Sequence, residues 1–73
     1  MKFSEHLAFL REQEGLLQKD LAKALGISLH AYQRFEYGKI NVSATTLCFL
    51  ADFFGVTTDY LLGRSELPAQ EKE

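Results

Sequence analysis

The residues best equipped for chemistry lie between positions 29 and 37. Leu29, His30, Gln33, Arg34 and Tyr37 recur at i, i+3 and i+4 intervals, which on a helix places them along one stripe. The types are informative together. Arg34 carries a fork of N–H donors that matches two adjacent acceptors, such as O6 and N7 of guanine. Gln33 offers one donor and one acceptor, the pattern complementary to N6 and N7 of adenine. His30 donates or accepts according to its tautomer, and Leu29 offers an apolar contact of the kind a thymine methyl accepts. A polar stripe of this sort is common on exposed helices, so no residue of it identifies a base contact on its own.

For the stripe to protrude, the rest of the chain has to hold this helix by its other side. Tyr32 and Phe35 supply that side. Leu21 and Leu25 from the preceding helix, and Ile27 from the turn, are apolar anchors facing them. Small residues are expected where the two helices cross, and Ala22 and Gly26 fill that need. The boundaries are marked by chemistry. A helix is predicted over about Gln18 to Leu25 and stops at Gly26, which takes positive φ without a Cβ clash. Ser28 offers an oxygen to the free N–H groups of the next helix, which runs from about Leu29 to Tyr37 and closes at Gly38. Phe3, Leu7 and Leu10 recur at helical spacing in a first helix that ends before Gly15. Ser43 caps an apolar helix ending before Gly55, with Leu47, Leu50, Ala51 and Phe54 turned inward. Thr57 caps a short last helix with Leu61 and Leu62 inward. No stretch alternates as a strand would, and no Asn-Gly or Asp-Gly hairpin dipeptide occurs. The expected fold class is therefore all-α, a compact five-helix unit over residues 1–63, followed by a charged, flexible tail over 64–73.

Composition narrows the class. At 73 residues and 47% apolar content the chain has room for one core. Its net charge of −2 is unhelpful to a nucleic-acid partner, but the distribution is uneven. Residues 18–39 set Lys19, Lys23, Arg34 and Lys39 against Asp20 and Glu36, whereas residues 41–73 set two cations against five carboxylates. A single cysteine, Cys48, cannot form an internal disulfide. It is expected to pack as a small buried apolar group in a reducing, cytoplasmic setting. Nothing at the N-terminus has the pattern of a signal peptide. His6 and His30 lack companion ligands at metal-binding spacing, so no metal site and no cofactor are expected. Nor is there a Ser/His/Asp or Cys/His set, a pair of carboxylates suited to acid–base work, or a phosphate-cradling glycine loop, which argues against an enzyme.

Taken in order, Leu10-Arg11, Gly15-Leu16, Gln18, Leu21-Ala22, Leu25-Gly26-Ile27-Ser28, Phe35-Glu36, Gly38, Thr46-Leu47, Leu50-Ala51, Gly55-Val56 and Asp59-Tyr60-Leu61-Leu62-Gly63 resemble the phage-repressor and Cro-like helix-turn-helix regulators, the Xre group. The resemblance covers roughly residues 3–63. It implies sequence-specific binding to double-stranded DNA by a transcriptional regulator, a repressor, with the helix over 29–37 in the major groove. Base edges would be read by Leu29, His30, Gln33 and Arg34. Phosphates would be held by Gln18, Ser28, Tyr37, Lys39, Asn41, Ser43 and Thr45, with a bond to a neighbouring base-reading side chain as the alternative for Gln18. It also implies a partly buried ion pair between Arg11 and Glu36, against the alternative of two solvated charges.

The sequence departs from the pattern at Leu17, where a Ser or Thr cap is usual. It departs again at Val42 and Ala44 around Ser43, at Leu29 and Ala31 on the reading face, and at Phe49 and Phe53, where Lys and Ala are more frequent. Phe49 and Phe53 are i, i+4 neighbours outside the expected inward stripe. Either they form an exposed interface patch, through which a homodimer would assemble to match a palindromic operator, or the small core wraps them. The patch keeps a second function in play, a protein-interaction module on the same scaffold that binds a partner rather than DNA.

Overall fold

A computed structural model of the chain describes residues 2–66. Five helices follow in order: α1 Phe3–Gln13, α2 Gln18–Leu25, α3 Leu29–Glu36, α4 Ala44–Phe54 and α5 Thr58–Leu61. No strand occurs among the described residues. Residues 67–73 of the expected tail lie outside the described part.

Local chemistry sets the boundaries. Ser28 Oγ accepts from the Ala31 N–H (3.1 Å), Ser43 Oγ from the Thr46 N–H (3.2 Å) and Thr57 Oγ1 from the Tyr60 N–H (3.0 Å). Each side chain satisfies a donor that a helix start leaves unpaired. Leu17 precedes α2 without such an oxygen, and only the reverse bond forms there, the Leu17 N–H donating to Asp20 Oδ2 at 2.8 Å. At the other end of α2, Gly26 sits at φ 74° and the Ile27 N–H bonds back to the Ala22 carbonyl at 3.0 Å. This left-handed closure turns the chain sharply into α3. A Cβ at Gly26 would meet nothing within 4 Å. Its role is therefore conformational, and close packing at the crossing falls to Ala22, which is 3% exposed.

The core is one cluster. Leu7, Leu10, Leu21, Ala22, Tyr32, Leu50, Ala51 and Leu61 are buried, and Phe3, Leu16, Leu25, Ile27, Phe35, Leu47, Phe54, Val56 and Tyr60 pack around them. α3 packs against α2 and α1, while α5 bridges α4 and α1. Tyr32 is fully buried and meets the edge of Phe35 at 6.4 Å between ring centres. α3 is thus gripped along the Tyr32 side by two helices.

The placement of Cys48 differs from the sequence reading. Cys48 is exposed, not buried. The α4 face that reaches the core carries Leu50 and Ala51 with Leu47 and Phe54, and a residue one step beyond Leu47 is rotated about 100° away from it. His6 is 6% exposed and sits edge-on to Tyr60 at 4.4 Å between ring centres, where α5 returns to α1.

Candidate nucleic-acid interface

Opposite the buried edge, α3 presents Leu29, His30 and Arg34 as exposed side chains, with Tyr37 and Lys39 exposed just beyond its end. His30, Gln33, Arg34, Tyr37 and Lys39 line one open concavity of about 440 Å³. The stripe read from the sequence therefore comes together as a continuous surface carrying two permanent cations. Gln33 is half-buried and leans toward α2.

The lean has a cause. Gln33 Nε2 donates to Gln18 Oε1 at 3.0 Å, and Gln18 Nε2 donates to Glu36 Oε1 at 3.0 Å. Glu36 is the hub of the arrangement. Its Oε2 accepts from Arg11 Nε (2.6 Å) and from the Tyr32 hydroxyl (2.5 Å), and its Oε1 also accepts from Arg11 Nη2 (3.2 Å). Arg11 Nη1 donates to the Leu16 carbonyl at 2.7 Å. The Arg11 and Glu36 side chains are 10% and 3% exposed. Four donors on two oxygens fill the acceptor capacity of a carboxylate, which is what a buried charge requires. Burial on its own would raise the Glu36 carboxyl, but the hydrogen bonds from Arg11, Tyr32 and Gln18 outweigh it, and Glu36 is held below its ordinary value. The bond to Glu36 raises Arg11 against the opposing effect of burial. Tyr32 is raised strongly, first by burial and then by donating to the carboxylate. The cluster thus stays charged as an ion pair and ties α1, α2 and α3 together.

The residues expected at phosphates divide by what their side chains already do. Lys39, Asn41 and Thr45 are exposed on the loop after α3 and on the first turn of α4. Ser43 is exposed, but its hydroxyl donates to Thr46 Oγ1 at 3.0 Å while accepting from the Thr46 N–H. Contact with an anion would therefore pass through the free N–H groups of the α4 first turn. Ser28 uses an oxygen lone pair for its cap, leaving the hydroxyl proton for a further acceptor. Gln18 is half-buried between the ion pair and Gln33. On α4, Phe49 and Phe53 are 41% and 44% exposed. Their rings stack at 6.2 Å with an 18° interplanar angle, and Phe53 meets the edge of Phe54 at 5.1 Å.

Two functional features were not read from the sequence. Tyr32 was placed in the core but not as a donor to Glu36, although the i, i+4 spacing of the two on one helix would have allowed it. The resemblance implied a bond from Gln18 to a base-reading side chain, which Gln33 fills, but the link from Gln18 to Glu36 was missed, since it joins residues distant in sequence.

Comparison with known proteins places this geometry in a family. A family model described as helix-turn-helix matches residues 7–61. The SPbeta prophage-derived uncharacterized HTH-type transcriptional regulator YonR of Bacillus subtilis is 38% identical over 60 residues, covering 82% of this chain and 56% of that protein. The HTH-type transcriptional activator BcrR of Enterococcus faecalis is 39% identical over 67 residues, covering 92% and 33%. The cryptic phage CTXphi transcriptional repressor RstR of Vibrio cholerae is 34% identical over 64 residues, covering 88% and 57%. The chain spans about half the length of curated relatives such as YonR and RstR. With the match running from α1 to the end of α5, the chain belongs to the Cro/C1-type (Xre) helix-turn-helix family of DNA-binding regulators, which are not enzymes.

Proposed function

We propose that this chain binds double-stranded DNA sequence-specifically by laying the outer edge of α3 in the major groove, and that it regulates transcription as a repressor. The observation that carries the reading is the concavity formed by His30, Gln33 and Arg34 of α3 with Tyr37 and Lys39 just beyond its end, on the side opposite the edge clamped by the core. A helix held by one edge fits a groove about 12 Å wide. Arg34 pairs with guanine, Gln33 with adenine, Leu29 with a thymine methyl, and His30 with whichever group its tautomer suits. Gln18, Ser28, Tyr37, Lys39, Asn41, Ser43 and Thr45 hold the flanking phosphates. Residues 1–63 form the DNA-binding unit, and it acts in the cytoplasm, where the DNA is. Repression is the economical assignment because an occupied operator excludes polymerase by bulk alone, whereas activation requires a further contact.

Variants at Arg34 and Lys39 test this. Arg34→Ala is expected to cost about 1–3 kcal/mol and relax preference at one base pair, while Lys39→Ala weakens binding evenly across sequences. Fluorescence anisotropy on a panel of duplexes distinguishes the two patterns. Equal weakening in both variants, with base preference intact, would remove α3 from the role of reader.

The unit acts as a homodimer through the Phe49/Phe53 patch. Two exposed, stacked aromatics on one helix favour burial against an equivalent surface. Two copies of α3 would then meet a palindromic site with half-sites one turn, ~34 Å, apart. Phe53→Glu is expected to shift sedimentation from dimer to monomer. A wild-type protein that sediments as a monomer on and off DNA would refute the dimer. Capture of an unrelated protein by the patch, without DNA binding, would favour the interaction-module reading.

A further inference from the structure

We propose that Glu36, through Gln18, fixes the hydrogen-bond polarity of the reading face, so that Gln33 turns its carbonyl oxygen to the DNA and selects adenine against guanine. This rests on the DNA-reading function proposed above and adds the source of its specificity at one base pair.

The argument starts from an asymmetry. An ionised carboxylate accepts hydrogen bonds and cannot donate. Glu36 is held ionised by Arg11, and three of its four bonds come from Arg11 and Tyr32. Gln18 supplies the fourth and has to offer its NH₂ group. A half-turn of the Gln18 amide would set its carbonyl oxygen against a carboxylate oxygen at the same separation, an acceptor facing an acceptor in a nearly buried site. The Gln18 oxygen therefore points the other way, toward Gln33, and accepts from Gln33 Nε2. Gln33 in turn has its nitrogen directed inward and its oxygen left over. One buried charge thereby sets the direction of two successive amides.

The remaining groups on Gln33 are the oxygen and the second N–H. Adenine offers a donor at N6 beside an acceptor at N7, which both can meet. Guanine offers acceptors at O6 and N7, so the outward oxygen faces a like group. An unanchored glutamine can rotate its amide and meet either base, and so discriminates less. Glu36 and Gln18 are positioning residues in this scheme, and Gln33 makes the contact.

The test uses the full chain and duplexes varied at the base pair that Gln33→Ala identifies. The wild type is expected to bind the adenine duplex at least about tenfold more tightly than the guanine duplex, within the range of a good bidentate contact. Gln18→Met keeps the Arg11–Glu36 pair and breaks the chain of amides; it is expected to reduce that ratio about tenfold. Glu36→Gln keeps the shape but supplies an NH₂ that can donate to Gln18, and is expected to reduce the ratio at least as far. Circular dichroism and urea midpoints establish that each variant is folded, and Gln18→Met carries the test alone if Glu36→Gln is not. Low salt restores measurable binding where a phosphate contact is lost. A purely structural role would weaken all duplexes together, so an unchanged adenine-to-guanine ratio in a folded Gln18→Met variant overturns the inference while leaving DNA reading intact. If Gln33→Ala changes preference at no base pair, Gln33 is not a reader and the inference fails, while the Arg34→Ala and Lys39→Ala comparison still decides whether α3 reads DNA.

Discussion

Glu36→Ala is expected to destabilise the fold by about 3–5 kcal/mol, the usual cost of removing one partner from a buried ion pair. The truncation strands Arg11, whose side chain is 10% exposed and retains only the Leu16 carbonyl and a 3.6 Å approach to the exposed Glu12. It also leaves the Tyr32 hydroxyl and the Gln18 amide without their acceptor. A domain of this size has a total stability of roughly 4–11 kcal/mol, so the variant sits near the limit of folding. In an Arg11→Met background the same substitution is expected to cost about 2 kcal/mol, because no charge is then stranded and only the neutral donors lose a partner. Urea unfolding of the four proteins in the cycle gives the coupling, with osmolyte added if Glu36→Ala is unfolded in buffer. Additive effects would mean that the pair is incidental.

The same cluster sets an acid limit. Because the folded Glu36 carboxyl titrates below its ordinary value of 4.5, the unfolded chain takes up its proton first as pH falls. The stabilisation is complete above that value and is lost as pH drops through the lower folded one. Glu36→Gln should therefore show a flatter loss of stability over that acid range than the wild type.

The second large effect is expected from salt. Arg34 and Lys39 on each protomer bring about four cations to the DNA in a dimer, and counterion release then gives a slope of about −3.6 in log affinity against log salt. Raising monovalent salt from 50 to 200 mM is expected to weaken binding roughly 150-fold. Lys39→Ala should reduce the slope by about 1.8, one phosphate contact from each protomer. The net charge of −2 does not oppose this, since the relevant field is local to the α3 surface, and charges beyond a Debye length of about 8–10 Å are screened. Binding that is indifferent to salt would point to a protein partner.

Much of this architecture was legible because its signals are local. Ser28, Ser43 and Thr57 act on N–H groups three residues ahead, and Gly26 and Gly55 need only their own φ. The inward stripe of α4 was readable from spacing alone. Cys48 was misplaced because apolar character was weighed before helical phase. One step of 100° separates it from the core-facing side of α4. The Arg11–Glu36 contact came from resemblance to a family, since no periodicity links positions 25 apart. The burial of His6 depends on where α5 returns, and the bond between Gln18 and Gln33 depends on the crossing of α2 and α3. Side-chain meetings of that kind are set by tertiary geometry, which the spacing of residues does not encode.

The central claim is that the free edge of α3 reads bases. The most direct measurement is selection of bound sequences from a random duplex pool, followed by competition of the winner against unselected duplex at near-physiological salt. The account predicts a two-fold symmetric winner, with half-sites centred about 10 base pairs apart, preferred over unselected duplex by at least about 10³-fold. A pool that emerges unenriched, or a winner bound no better than random sequence, would contradict it.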